Sequence, residues 1–497
     1  MVRIGELVIQ NPWWKHGEGF VQFDKNLQVI RENVFCRKQI DLKRGNIYIL
    51  RGARQVGKTT YLKLVIRELI RKGVDPNSIL YVSCDFFISR RELRNAVAYF
   101  VNRNLGVSDL YMFIDEITSL GDWNLELKYL VDSGIAKKAI VVATGSSASA
   151  LRRRGELLPG RGLEGNEYHM KPFSFRDFVL QTSEPFGVMA KESELGASLK
   201  RLKDVLIQNS ITVGSPVSDI GKALDALIPF KQEMEYLFDF YLRCGGYPFA
   251  VSNFLLQKLK TRRLGVDARV PEIIMRDIIG DLTKLGRQET FVRQILREIA
   301  QKYGSRYSFS NLANGMGMGH VTTIDYLETL VESFIISVIY GFDVARKQPK
   351  LKGDKKIFFQ DPFLYYAVQS YLSGRDVNEI IEESVEDEET MGKVVEAVVS
   401  SHLAINQETP IMKELNTFLW FYYDTRGKEV DNIVKTNGEF AGVEVKYQRT
   451  VTSEILRVPQ ISRYIILTKE DLSVNGETIL APTDIFLALL ETSPRTL

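Results

Sequence analysis

The sequence predicts an α/β protein whose first domain is a parallel sheet flanked by helices. Three observations carry that prediction. Continuous apolar runs of strand length stand at residues 47–50, 110–114 and 139–143, as strands buried on both faces of a sheet require. A glycine-bearing loop follows the first run and leads directly into a segment of helical periodicity. The second and third runs end in acidic or small polar residues, as expected where a parallel sheet presents its carboxyl edge to a ligand.

The first element is Ile47-Tyr48-Ile49-Leu50, a strand entering the loop Gly52-Ala53-Arg54-Gln55-Val56-Gly57-Lys58-Thr59. Thr60 opens a helix predicted over residues 60–71, with Leu62, Val65, Ile66 and Leu69 on one face. Glycines let backbone N–H groups close around phosphate, and the helix N-terminus faces the negative charge. Lys58 is placed to reach the outer phosphates, and the Thr59 hydroxyl to ligate magnesium. Gly52, Ala53, Arg54, Gln55, Val56, Gly57, Lys58, Thr59 and Thr60 are therefore expected to hold ATP with Mg²⁺.

The second strand, Leu110-Tyr111-Met112-Phe113-Ile114, ends in Asp115-Glu116. Asp115 is expected at the metal's water shell, and Glu116 as the group that polarises attacking water. A strand that merely ends in acidic residues is the alternative. The third strand runs into Thr144-Gly145-Ser146-Ser147, where the Ser146 hydroxyl either senses the γ-phosphate or only serves the turn. Arg161, in Leu158-Pro159-Gly160-Arg161-Gly162, is either an arginine finger acting across a subunit boundary or a surface arginine.

The chain of 497 residues has material for three or four domains, and its 45% apolar and 26% charged content is that of an ordinary globular protein. No apolar run is long enough to span a membrane, and the N-terminal residues hold no secretory core. Cys36, Cys84 and Cys244 are scattered without metal spacing, which fits a reducing cytoplasm. A net charge of +3 leaves nucleic-acid binding to local patches: Arg152-Arg153-Arg154, residues 258–263, and residues 346–356. Each patch is either a binding surface or a solvated face. The acidic run at 382–389 reads as a linker or a helix entry.

Four domains are expected: an ATPase core over 1–195, a helical lid over 196–285, a winged helix over 286–360 and a nuclease-like domain over 361–497. The lid carries Met234, Leu237, Phe238 and Tyr241 on one helix face and is broken at Cys244-Gly245-Gly246-Tyr247-Pro248. In the winged-helix stretch, residues 291–303 are amphipathic, a short helix opens at Ser310, and Gly315 and Gly317 mark the turn. A second helix starts near Val321, and strands at 335–340 and 356–359 form the wing. That second helix turns Asp325, Glu328 and Glu332 outward, which repels phosphate, so only His320, Thr322 and Thr323 are left to reach a groove. The basic wing loop, with Arg346, Lys347, Lys350 and Lys352, is the better backbone contact. DNA binding and protein packing both remain open for this stretch.

A second chemical signal lies near the C-terminus. Strands are predicted at 417–423, 429–434 and 441–447, with a turn at Asn437-Gly438. Glu444 and Lys446 are two apart on one strand and share a face. Asp431 on the adjacent strand and Glu396 on a helix over 391–404 can join them. Asp431, Glu444 and Glu396 would hold Mg²⁺ or Mn²⁺, and Lys446 would orient the attacking water, as in a metal-dependent phosphodiesterase. A nuclease-like fold kept for binding or packing is the alternative.

With these residues on the page, the chain resembles the archaeal and bacterial AAA+-type P-loop ATPases that carry a C-terminal domain of unknown function. The shared marks are the loop from Arg51 to Thr60, Phe113-Ile114-Asp115-Glu116, Thr144-Gly145-Ser146-Ser147 and Pro159-Gly160-Arg161. Pro172-Phe173-Ser174-Phe175, Gly245-Gly246-Tyr247-Pro248 and Phe359-Gln360-Asp361-Pro362 continue them. Glu429-Val430-Asp431 and Glu444-Val445-Lys446 resemble the PD-(D/E)xK nuclease superfamily. The resemblance implies an ATPase core, a winged helix and a restriction-endonuclease-like domain. Two functions follow as expectations. One is a cytoplasmic, ATP-hydrolysing DNA-processing enzyme, assembled as a homo-oligomer such as a hexameric ring. The other is an ATP-dependent switch with a silent nuclease-like domain.

Overall fold

Five parallel strands in the order β2-β3-β4-β1-β5 organise the first of two bodies, Met1–Lys171 with Arg495–Leu497. They are β1 (Ile47–Gly52), β2 (Ile79–Ser83), β3 (Leu110–Asp115), β4 (Ala139–Gly145) and β5 (Glu167–Met170). The computed structural model describes residues 4–30, 37–146, 166–189, 194–261, 264–406, 419–448, 455–492 and 497. Both faces of the sheet are covered, which is why β1 and β4 are apolar at nearly every position and buried throughout. Ile47, Ile49, Leu80, Met112 and Val141 pack in one cluster with Leu93, Val97 and Phe100 of the helix Arg90–Arg103. The expected helix after the loop is Lys58–Arg71, and it buries Tyr61, Leu62, Leu64, Val65 and Ile66.

The second body, Pro172–Pro494, combines helices with an eight-stranded mixed sheet. Its strands are β6 (Ile336–Asp343), β7 (Gln348–Phe359), β8 (Leu419–Tyr423), β9 (Glu429–Thr436), β10 (Glu439–Val445), β11 (Ile461–Thr468), β12 (Ser473–Asn475) and β13 (Thr478–Pro482). Their order is β12-β13-β11-β10-β9-β8-β6-β7. Among the described residues, no helix is long and apolar enough to cross a membrane.

Three boundaries differ from expectation. The division at 195 falls instead at 171/172, because the helix Phe175–Met189 packs on Glu194–Gln208 and on Thr483–Leu489 of the second body. The helices of the expected lid belong to that body too, Lys231–Cys244 lying against Pro362–Ser373. No break occurs at 360/361, since β6 pairs with β8 and makes one sheet of the two expected domains. The helix–turn–helix–hairpin order itself is present as Glu289–Gln301, Phe309–Met316, His320–Glu332, β6 and β7.

Three segments singled out in the sequence meet in one buried knot of the second body. The Phe173 N–H donates to the Gly246 carbonyl (2.7 Å), and the Gly246 N–H donates to Asp361 Oδ2 (2.7 Å). A Cβ on Gly246 would stand 2.1 Å from the Phe173 carbonyl oxygen, so only glycine allows this approach. Tyr241 closes the knot through its hydroxyl, which donates to the Phe173 carbonyl at 2.9 Å.

The charge patches also resolve. The acidic run is a helix boundary, where Val377–Glu386 ends and Glu388–Asn406 begins. Lys258 lies 3.9 Å from the centre of the Phe240 ring and donates to the Tyr236 hydroxyl, so it is not a free charge. Arg262, Arg263 and Arg152-Arg153-Arg154 lie outside the described residues, as does Cys36. Arg346, Lys347, Lys350 and Lys352 are exposed, whereas Lys355 and Lys356 are buried. Thr323, expected to reach outward, is buried and donates back to the Gly319 carbonyl. Asp325 is neutralised by a two-pronged ion pair with Arg287.

Candidate functional site

In the first body, β1 delivers the loop at the carboxyl edge of the sheet. Gly52 is required there by packing: a Cβ would lie 2.2 Å from the Met170 carbonyl oxygen of β5. Gln55 (φ 61°) and Gly57 (φ 94°) adopt left-handed backbone, which turns the loop into the helix N-terminus at Lys58. Lys58 is buried, and its Nζ donates to the carbonyls of Gly52 (2.9 Å) and Ala53 (3.0 Å) while standing 3.5 Å from Glu116 Oε1.

Because β4 lies between β1 and β3, the loop, Asp115 and Thr144 converge. Asp115 is buried and accepts hydrogen bonds from three hydroxyls: Thr59 (2.7 Å), Tyr81 (2.7 Å) and Thr144 (2.5 Å). Glu116 follows in left-handed backbone (φ 49°), its N–H donating to Thr144 Oγ1 (2.9 Å) and its carboxylate accepting from the Ser146 N–H (3.1 Å). Burial works against its ionisation, but Lys58, Arg54 and Ser146 outweigh it and hold the carboxyl below its usual range. Arg54, Gln55, Gly57, Thr59 and Thr60 are partly exposed around this centre.

Of the two roles open for Ser146 in the sequence, sensing and turn, the structure shows only its N–H donating to Glu116, while the hydroxyl that reaches Asp115 is that of Thr144. Thr144 was visible as the last polar residue of an apolar strand. Tyr81 gave no signal, because a tyrosine in a buried strand reads as core. Arg161 and Ser147 lie outside the described residues.

In the second body, the helix Glu388–Asn406 is pinned to β9 by a Ser400–Asn432 hydrogen bond of 2.8 Å. Oxygens of Glu396, Glu429 and Asp431 lie within 4.8 Å of one another, a spacing that could hold a cation. The expected Glu396 and Asp431 are thus brought together, but the third carboxylate is Glu429, not Glu444. Glu429 was legible, being two residues from Asp431 on the same strand face. Lys356 of β7 was not: its Nζ is 2.6 Å from Glu396 Oε1, ion-paired with Glu429, and 3.7 Å from Asp431 Oδ1. Arg306 stands 3.6 Å from Glu429.

Glu444 sits beside this group. It is 1% exposed, its Oε2 lies 3.7 Å from Lys446 Nζ, and its Oε1 has no hydrogen-bond partner among the described residues. Asp431 Oδ2 accepts the Val445 N–H at 2.8 Å, which ties β9 to the strand end carrying Glu444. Burial, helped by the Asp431 charge and opposed by Lys446, pushes the Glu444 carboxyl up to about 7. Burial also lifts Glu396 to about 8 against the pull of Lys356. For Lys356, burial is outweighed by Glu396, Asp431 and Glu429, which hold the ammonium charged. The donors are hard oxygens, the chemistry that suits Mg²⁺ or Mn²⁺.

Three stretches of the chain match family models. Residues 44–179 match an AAA domain, residues 235–376 a domain of unknown function, DUF8612, and residues 391–482 a domain of unknown function, DUF4143. The chain is 27% identical over 339 residues to the uncharacterized protein MJ1637 of Methanocaldococcus jannaschii. That match covers 67% of this chain and 63% of the relative, so the chain spans less than two thirds of the relative's length. Among solved structures, a variant of RuvB from Thermotoga maritima aligns at a TM-score of 0.25 with 16% identity, over 59% of this chain and 81% of that one. Cdc6p from Pyrobaculum aerophilum aligns at 0.23 with 14% identity, over 74% and 94%. Scores this low carry no structural argument. The AAA match and the parallel-sheet phosphate-loop core together identify an AAA-type ATPase domain in the first body.

Proposed function

We propose that the chain is an ATP-hydrolysing enzyme that processes DNA, coupling its ATPase domain to metal-dependent phosphodiester cleavage in the second body. The observation that carries the reading is Asp431 and Glu444 on neighbouring strands with Lys446 beside them, and a buried Glu444 oxygen left without a hydrogen-bond partner among the described residues. Such an oxygen is costly unless a proton or a cation satisfies it.

In the ATPase domain, Lys58 exchanges its loop carbonyls for phosphate oxygens, and Thr59 with Asp115 would hold the Mg²⁺ that accompanies ATP. Glu116, kept ionised, is suited to accept a proton from water attacking the γ-phosphate. In the second body, Asp431 and Glu444 would hold Mg²⁺ or Mn²⁺, which when bound supplies Lewis acidity toward the scissile phosphate. Lys446 orients the attacking water. The stretch from 289 to 359 acts as a winged helix that grips the DNA backbone through Arg346, Lys347, Lys350 and Lys352. The chain assembles as a homo-oligomeric ring with Arg161 reaching the neighbouring nucleotide, which sedimentation with and without ATP would test.

The decisive experiment incubates the full chain with labelled linear and branched DNA, with Mg²⁺ or Mn²⁺, with and without ATP. Cleavage is expected from the wild type and absent from Lys446→Ala, and its loss in Lys58→Ala would show that ATP drives it. No cleavage by the wild type under any condition would sink the nuclease reading. One observation favours a second reading, an ATP-dependent switch with a silent nuclease-like domain: Lys356 already occupies the space between Glu396 and Glu429. That reading expects nucleotide-dependent partner binding and no cleavage.

A further inference from the structure

We infer that Lys356 is a built-in cation that takes the place of a second metal ion, so that the second body binds one divalent ion per chain rather than two. The inference rests on the nuclease reading above. Its physical basis is the surroundings of one ammonium group. Glu396, Glu429 and Asp431 offer three oxygens close enough to coordinate a single cation, and the Lys356 Nζ stands among them. The Lys356 side chain is 4% exposed, and its Nζ lies 5.7 Å from the centre of the Phe421 ring.

Two-metal phosphodiesterases keep their ions roughly 3.5–4 Å apart, sharing a carboxylate. Asp431 is the residue that would be shared here. Its Oδ1 faces Lys356, while the Val445 N–H on its Oδ2 lies next to Glu444 in the chain. One oxygen of Asp431 is thus turned to an ammonium, and the other accepts the backbone N–H of the residue after Glu444, whose Oε1 has no hydrogen-bond partner among the described residues. A divalent ion on the Lys356 side would have to expel a buried, triply paired ammonium into water. An ion on the Glu444 side leaves that ammonium in place and gives Glu444 Oε1 a partner.

The tether matters as well. Lys356 is fixed in β7, whose exposed half carries Lys350 and Lys352, so the cation is supplied by the same strand as the basic tip. It cannot dissociate, and it does not depend on the metal concentration. Metal dependence of binding is therefore expected to be hyperbolic, with a Hill coefficient of one.

The test counts Mn²⁺ bound to the nucleotide-free full chain by calorimetry and electron paramagnetic resonance. Wild type is expected to bind one ion, Glu444→Gln none, Lys356→Arg one, and Lys356→Met two. Lys356→Met is also expected to melt below wild type without metal and to regain stability on adding Mn²⁺. Two ions on wild type, or one ion on both wild type and Lys356→Met, would overturn the inference while leaving the nuclease reading standing. No ion on any form would overturn the metal reading itself. Should Lys356→Met fail to fold, Lys356→Gln combined with Glu429→Gln keeps the net charge and is expected to bind the second ion on Glu396 and Asp431. A single ion on that folded double variant would count against the inference.

Discussion

Asp115 shows how one residue acquires a role that its neighbours define. Three hydroxyls, from Thr59, Tyr81 and Thr144, converge on its carboxylate, so its two oxygens are aimed before any nucleotide arrives. Lys58→Ala is expected to lower ATP hydrolysis at least about 100-fold, because it removes charge stabilisation at the phosphates. Glu116→Gln should slow turnover by roughly 100-fold to 1,000-fold while leaving nucleotide affinity nearly intact, as loss of a general base does. Equal losses in affinity and turnover, measured by nucleotide titration and steady-state kinetics, would remove Glu116 from that role. Lys58, Thr59, Asp115 and Glu116 were all legible, since their spacing along a strand, loop and helix is local. Tyr81 was not, because a buried-strand tyrosine carries no mark of what its hydroxyl meets. Lys356 was legible only as one charge in a basic run. Its burial among carboxylates depends on β7 lying against a helix and a strand much further along the chain.

At the scale of elements, close backbone approach decides two places. β1 and β5 pair with Gly52 opposite Met170, and Gly52→Ala would drive a methyl into the Met170 carbonyl. The expected cost is about 1–3 kcal/mol, read by thermal denaturation, since overpacking a strand pair forces backbone to move. Gly246 plays the same part in the second body against Phe173, which explains why its Gly-Gly-Tyr-Pro segment stood out without any chemistry attached. The β6–β7 hairpin is the other informative element. Replacing Arg346, Lys347, Lys350 and Lys352 with alanine should shallow the log–log salt dependence of duplex DNA binding by about 3 to 4. An unchanged slope would show that the tip does not touch the backbone. The hairpin was legible from its apolar strands and basic loop, but its union with β8 was not, because parallel pairing across a long connection leaves no local pattern.

For the whole molecule, buried carboxyl groups of the second body tie stability to pH. Burial pushes Asp361 from its ordinary 3.8 up to about 7, against the amides of Gly246, Phe363 and Leu364 that favour its charge. A carboxyl raised in the folded state stabilises most when protonated, so this contribution is present below about pH 4 and lost as pH rises through about 7. Glu444, raised to about 7, and Glu396, raised to about 8, act in the same sense in the metal-free chain. Melting temperatures between about pH 5 and pH 8 should therefore fall less in Asp361→Asn than in wild type. Parallel curves would mean that Asp361 stays ionised throughout. The sequence by itself determined the phosphate-loop pattern, the strands that carry Asp115 and Glu116, and the shared face of Glu429 and Asp431, because each follows from local periodicity or spacing. Only the tertiary structure decided where the bodies divide, that the hairpin and the C-terminal strands share one sheet, and that Lys356 is buried among Glu396, Glu429 and Asp431. Those outcomes depend on which distant strands pair and which charges are buried together, and neither is written in any single stretch of chain.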